Sequence, residues 1–168
     1  MSYPGRAVVF ANMEDLAARI DSPGLDVSQD DILVLRQIGP KGAPGMPEAG
    51  LIPIPKKLAK QGVKDMVRIS DGRMSGTAAG TIILHVAPES AVGGPLSLLR
   101  TGDQIQLDVA TRQLNMLVPD QELERRRVEQ PAASSAELRG YEKLFYDHVL
   151  QAPDGVDFDF LQAKKDGH

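Results

Sequence analysis

Ile32-Leu33-Val34-Leu35 is an unbroken apolar run with no polar residue on either side of the pleat. Such a run predicts a strand buried on both faces, as in a parallel sheet covered by other layers. Upstream, residues 6–10 (Arg6-Ala7-Val8-Val9-Phe10) are short, apolar and β-branched, and predict a second strand. Asn12 then caps a helix reaching Ile20, with Glu14 and Asp15 in its first turn, where the helix dipole favours acids. Downstream, Gln104-Ile105-Gln106-Leu107-Asp108-Val109 and Gln113-Leu114-Asn115-Met116-Leu117-Val118 alternate polar and apolar residues across a three-residue connection. Period-2 alternation predicts an antiparallel hairpin with one wet face. The chain therefore reads as α/β, with buried parallel strands and a solvated hairpin.

Composition sets the outer bounds. The chain has 168 residues, 42% apolar and 25% charged, enough for one domain with its own core. It contains no cysteine, which excludes a disulfide scaffold, a thiolate nucleophile and any iron–sulfur or Cys-zinc site made by this chain alone. No apolar run reaches the length of a membrane span, and the N-terminus lacks the basic-then-apolar layout of a signal peptide, so a cytoplasmic location is expected. A formal charge of −4 and 4% aromatic residues give no basis for nucleic-acid binding.

Two loops carry the candidate chemistry. Residues 39–48, Gly39-Pro40-Lys41-Gly42-Ala43-Pro44-Gly45-Met46-Pro47-Glu48, hold three glycines and three prolines and end on a carboxylate. A stretch so rich in breakers is irregular and rigidly shaped. Taken singly, Glu48 also reads as an ordinary solvated carboxylate. Residues 66–81 (MVRISDGRMSGTAAGT) run from a strand into a hydroxyl-rich loop. Gly72, Gly76 and Gly80 recur there at four-residue spacing, leaving backbone that can approach a ligand or take positive φ. Such a loop presents Ser75 to a substrate, or is a surface turn.

The remaining segments read as follows. Residues 55–61 form a short helix opened by proline and closed by Gly62, and residues 81–86 a buried strand with His85 as a satisfied core or edge residue. Residues 88–95 are a turn, and 121–128 a helix whose Arg125-Arg126-Arg127 run is a solvated, ion-paired face or a phosphate contact. Residues 131–135 are a linker, 136–150 a final helix and 155–161 an extended end. Residues 1–5 read as a tag or linker remnant, 6–161 as the domain, and 162–168 as a flexible tail.

Three segments, GPKGAPGMPEAG (39–50), VRISDGRMSGTAAGTIILHVAPESAVGGP (67–95) and RGYEKLFYDHVLQAPDGVDFDFL (139–161), resemble the C-terminal region of the dihydroxy-acid and sugar-acid dehydratases. Met74, the GTAAGT that follows it and the 139–161 segment look more like the sugar-acid branch, whereas Gly72 looks like the dihydroxy-acid branch. The resemblance implies a swivelling three-layer β/β/α domain: a parallel central sheet, open or barrel-like, a second antiparallel sheet and flanking helices.

It also implies a hydro-lyase of sugar-acid metabolism or branched-chain amino acid biosynthesis. Such an enzyme removes water from a 2,3-dihydroxy acid and gives a 2-keto-3-deoxy acid. An N-terminal domain, on the same or a separate chain, would supply an iron–sulfur cluster and most Mg²⁺ ligands, and the full-length enzyme would be a homo-oligomer. Carried onto this sequence, Ser75 is the alkoxide base, Glu48 an Mg²⁺ ligand donated across the domain interface, and Thr77 a substrate-binding or Ser75-orienting residue. Neither cofactor is expected on this chain alone. The rival readings are a stand-alone swivelling module that docks onto a large subunit, and a nucleic-acid-binding domain that uses the arginine run.

Overall fold

The computed structural model describes residues 2–130 and 137–162. Strand β1 (Ser2–Phe10) is followed by α1 (Met13–Arg19), β2 (Ile32–Leu35), α2 (Lys56–Ala59), β3 (Arg68–Ser70) and β4 (Ile82–Ile83). Then come α3 (Pro95–Leu98), β5 (Gln104–Asp108), β6 (Gln113–Met116), α4 (Asp120–Val128) and α5 (Gly140–His148). The six strands form one curled sheet, a half-barrel, in the order β4-β3-β2-β1-β5-β6. The fold class is α/β, as the strand patterns indicate.

Strand β1 joins the two kinds of pairing. Its residues 7–10 run parallel to β2, and residues 2–6 run antiparallel to β5. Residues 2–5, set aside from the sequence as a remnant, are therefore sheet. Their composition hid this. Pro4 lacks an N–H but has a strand on one side only, and Gly5 leaves room for Ile32, whose Cγ1 would lie 2.8 Å from an added Cβ.

Alternation divides the buried strands between two apolar clusters. Val8, Phe10, Leu33 and Leu35 pack with Leu16 and Ile20 near α1 and with Leu58 of α2. Ala7, Val9, Ile32 and Val34 face the other way, onto Ile69, Leu96, Leu99 and Ile105. This is why the 32–35 run is apolar throughout: each face of β2 has its own core. The hairpin keeps one face wet, with Ile105 and Leu107 buried and Gln104 exposed.

Asn12 caps α1 by accepting from the Asp15 N–H, as its position suggests. The three arginines of α4 are all paired. Arg125 meets Glu122 and Glu129, Arg127 meets Glu124, and Arg126 meets Glu122 and Asp103. Arg126 departs from the solvated-face expectation. It is 8% exposed and also donates to Leu98 O at 2.9 Å, which ties α4 to α3 and to the start of the hairpin.

Burial disfavours ionised Asp103, but hydrogen bonds from Arg126 and from the Arg100 amide outweigh it and hold the carboxyl below the usual range. A depressed carboxyl stabilises the fold above its unfolded-state pKa, and that contribution is lost as pH falls through the folded value. Asp103→Asn is therefore expected to cost ~1–3 kcal/mol at neutral pH. The difference from wild type should shrink below about pH 4. Urea unfolding of both proteins at pH 7 and pH 3 measures this.

Four segments differ from the sequence-based expectation. The buried strand expected over 81–86 reduces to the half-buried Ile82–Ile83, because His85 takes φ +55° and ends the ladder. The turn at 88–95 contains a 3-10 turn, Ser90–Val92, and then opens α3 with Pro95 at its first position. The final helix starts only at Gly140, after an extended Arg139, and buries none of its residues. Residues 155–161 are not extended: Gly155 and Val156, at φ +87° and +57°, turn the chain back. Phe158 then bridges to Val149, and Asp159–Leu161 closes as a 3-10 turn. The linker at 131–135 and residues 163–168 of the expected tail lie outside the described residues. Among the described residues, no helix is long and apolar enough to cross a membrane.

Candidate active site

Parallel pairing of β1, β2 and β3 brings their C-terminal ends to one edge of the sheet, where open α/β sheets bind their ligands. The loop that leaves β2 carries Glu48, and the loop that leaves β3 carries Ser75. Adjacent strands thus launch both loops side by side.

The two loops are cross-braced. The Ile38 N–H donates to Asp71 Oδ1 at 3.1 Å, and the Gly50 N–H to Arg73 O at 2.7 Å. Arg73 reaches back with Nε to Met46 O at 2.6 Å and with Nη1 to Glu48 Oε1 at 2.8 Å. Both charged groups of that pair are about half exposed, so it orients Glu48 more than it stabilises the fold. Arg73 is thus the link between Ser75's loop and Glu48.

The far end of the Ser75 loop is pinned as well. Arg68 projects from β3, is 4% exposed, and donates to Ala79 O at 3.1 Å and to Asp65 at 2.8 Å. Asp65 in turn accepts from the Thr81 N–H and hydroxyl. Burial works against its charge, yet those hydrogen bonds and Arg68 hold its carboxyl low. Gly80 meets both demands its position makes, at φ +121° and with an added Cβ only 2.0 Å from Arg68 Nη2. Of the three evenly spaced glycines, only this one has positive φ; Gly72 instead packs against Ile38.

Between these anchors Ser75 is half-buried and Thr77 exposed. Ser75 Oγ lies 3.0 Å from Thr77 Oγ1, and the Thr77 N–H points at it from 3.4 Å. The Thr77 amide thus donates to the Ser75 oxygen, and between the two hydroxyls either can be the donor, so Thr77 is placed to orient Ser75 Oγ. His85 is exposed beyond β4, where its backbone N–H donates to Gly72 O at 3.1 Å.

Glu48 offers a hard, exposed carboxylate, suited to Mg²⁺. Among the described residues no group of three or more His, Cys, Asp or Glu could hold a metal, so this chain fits one ligand of such a site. With no cysteine, it does not fit an iron–sulfur cluster of its own.

The sequence missed the support beneath these loops. Glu89 and Ser90, in a stretch read as a turn, are 1% and 4% exposed. Ser90 donates N–H and Oγ to Asp71, and Glu89 accepts from the amides of Lys41 and Gly42. Polar residues inside a supposed turn, flanked by Gly93-Gly94, were the available signal.

The family model described as dihydroxy-acid/6-phosphogluconate dehydratase C-terminal matches residues 1–156. The 6-deoxy-6-sulfo-D-gluconate dehydratase of Pseudomonas putida is 55% identical over 96% of this chain and 28% of its own length. The L-arabonate dehydratase of Azospirillum brasilense is 50% identical over 96% of this chain and 29% of its own. A dihydroxy-acid dehydratase of Thermus thermophilus is 37% identical over 92% of this chain and 27% of its own. The chain thus spans less than a third of the length of the relatives it matches. With the family model matched along nearly its whole length, the chain belongs to the dihydroxy-acid and sugar-acid dehydratases, and corresponds to their C-terminal domain.

Proposed function

We propose that this domain supplies the base and one metal ligand to a dehydratase that converts a 2,3-dihydroxy sugar acid to a 2-keto-3-deoxy acid. The observation that carries the reading is the cross-bracing of the two loops, in which Arg73 ties the Glu48 carboxylate to the backbone that presents Ser75 and Thr77. Higher identity to the 6-deoxy-6-sulfo-D-gluconate and L-arabonate dehydratases than to the Thermus dihydroxy-acid enzyme supports a sugar acid as substrate.

The C2 proton of such an acid is weakly acidic, so its removal needs a strong base. Ser75 Oγ, held as the alkoxide, takes that proton. The Thr77 hydroxyl and amide stabilise the charge on Oγ before transfer and orient it toward C2. As the C2–H pair forms the C2–C3 double bond, the C3–O bond breaks and hydroxide departs; the resulting enol tautomerises to the 2-keto acid. Glu48 would hold one position on a bound Mg²⁺, which, with an iron–sulfur cluster ligated from outside this chain, would supply Lewis acidity to the reaction.

The purified 168-residue chain is expected to form no 2-keto acid from any aldonic or dihydroxy acid, and to bind neither an iron–sulfur cluster nor Mg²⁺ tightly. Iron analysis, calorimetry with Mg²⁺ and a keto-acid assay test this together. Product formation by the chain alone, or a tight Mg²⁺ site on it, would contradict the reading.

A further inference from the structure

Among the described residues Glu89 and Asp71, each 1% exposed, are the most buried carboxylates, and no arginine, lysine or histidine forms a salt bridge with Glu89. Its oxygens instead accept from the amides of Lys41, at 2.9 and 3.0 Å, and of Gly42, at 2.9 Å. Gln151 Nε2 donates to it at 2.8 Å, and the Glu89 N–H donates back to Gln151 Oε1 at 2.8 Å. Gly39 lies so close that an added Cβ would sit 2.5 Å from Glu89 Oε2. A buried carboxylate with no cation persists only where several N–H donors face it. Here two of those donors belong to the loop that ends at Glu48.

The next residue performs the same task on the other loop. Ser90 donates its N–H to Asp71 Oδ2 at 2.8 Å and its hydroxyl to the same oxygen, and its Oγ accepts from the Gln37 N–H at 2.8 Å. Asp71 opens the loop that presents Ser75. Two consecutive residues, remote from both Glu48 and Ser75 in sequence, thus grip the bases of both site loops.

We propose that Glu89 and Ser90 form a positioning bracket that sets the placement of Glu48 against Ser75, with Glu89 controlling the metal-ligand loop through Lys41 and Gly42. The inference rests on the reading of Glu48 as a Mg²⁺ ligand. Glu89 touches neither substrate nor metal; it acts through the backbone it holds. Gln151 couples the bracket to the chain after α5, and Tyr146 within α5 lies under Lys41 Nζ, 5.0 Å from the ring centroid.

The test uses the complete enzyme that carries this domain, with Glu89→Gln, Gln151→Ala and Glu48→Gln made separately. In Glu89→Gln an NH₂ replaces one acceptor, so a donor faces the Lys41 and Gly42 amides. The Mg²⁺ activation constant should rise about tenfold, the size of effect seen when an outer-shell partner of a metal ligand is lost. At saturating Mg²⁺, kcat should return to within about twofold of wild type, and Glu89→Asp should restore part of the affinity. Calorimetry with Mg²⁺ alone should show the same weakening, and hydrogen exchange should quicken in the 39–48 peptide while the β2 peptide stays protected. Gln151→Ala, which removes one donor to the carboxylate and the acceptor of the Glu89 N–H but leaves the Lys41 and Gly42 contacts in place, should give a smaller shift in the same direction.

A Glu89→Gln enzyme whose kcat falls with an unchanged Mg²⁺ constant would overturn the bracket and leave Glu89 a residue of general stability. If Glu89→Gln fails to fold, an unchanged Mg²⁺ constant and unchanged 39–48 exchange in Gln151→Ala overturn it instead. An unchanged Mg²⁺ constant in Glu48→Gln would overturn the ligand reading itself, separately from the hydrogen-exchange result.

Discussion

Ser75→Ala, in the complete enzyme, is expected to abolish turnover while leaving the fold, the cluster and the Mg²⁺ constant unchanged. The substitution removes one hydroxyl from a half-buried loop residue that belongs to neither apolar cluster, so nothing in the core is exposed by it. The loop keeps its anchors, because Arg73, Arg68 and Asp71 hold it without Ser75. The loss in kcat should exceed the ~10²- to 10⁴-fold contribution of an ordinary general base, since no water at neutral pH replaces an alkoxide. Thr77→Ala removes the Oγ1 partner but keeps the Thr77 backbone N–H. It should therefore cost less, ~1.5–3 kcal/mol of barrier, the worth of one hydrogen bond to a charged oxygen. Retention of more than about a tenth of wild-type kcat by Ser75→Ala, a loss under ~1.4 kcal/mol, would exclude Ser75 as the base.

Gly94→Ala is expected to give the largest loss of stability of any glycine-to-alanine change among the described residues. An added Cβ would lie 1.6 Å from Pro88 O, 2.3 Å from Pro88 C and 2.6 Å from Glu89 O. All three are backbone atoms, so no side chain can rotate out of the way. The 88–94 turn has to open, at ~3 kcal/mol or more. For a domain of this size that lowers Tm by ~6–12 °C. The Gly94 N–H also donates to Glu89 O at 2.9 Å, so the displaced turn carries the buried carboxylate with it. Thermal unfolding of the two proteins side by side measures this. A Tm within a degree of wild type would show that the turn accommodates a side chain.

Much of the scaffold was legible because one physical rule controlled each part. The apolar run at 32–35 could only be a strand covered on both sides, and it is. The alternating runs after Asp103 could only be a hairpin with a wet face. Asn12 sits where a helix needs a cap. Misreadings arose where tertiary contacts outweigh local preference. Pro4 and Gly5 look like breakers, yet β5 recruits them because the sheet needs a strand there and Gly5 alone clears Ile32. Residues 81–86 have strand composition, but φ +55° at His85 ends the ladder after Ile83.

The site divides in the same way. Read singly, Ser75, Thr77 and Glu48 look like ordinary loop side chains, and it was the resemblance of their segments to a known family that made them nameable as candidates. The groups that aim them were not. Arg73 links the loops over a separation of 25 residues to Glu48, and Glu89 acts over 47 to Gly42. Such pairings come from the order of strands in the sheet, and no local pattern records them.

The most direct test of the dehydratase assignment is an assay of the complete, cluster-loaded protein against a panel of aldonic and 2,3-dihydroxy acids, with 2-keto acid formation followed in the presence of Mg²⁺. Turnover of at least one C5 or C6 sugar acid to its 2-keto-3-deoxy product is the expected result. The absence of 2-keto acid from every member of the panel, with cluster and Mg²⁺ both bound, would contradict it.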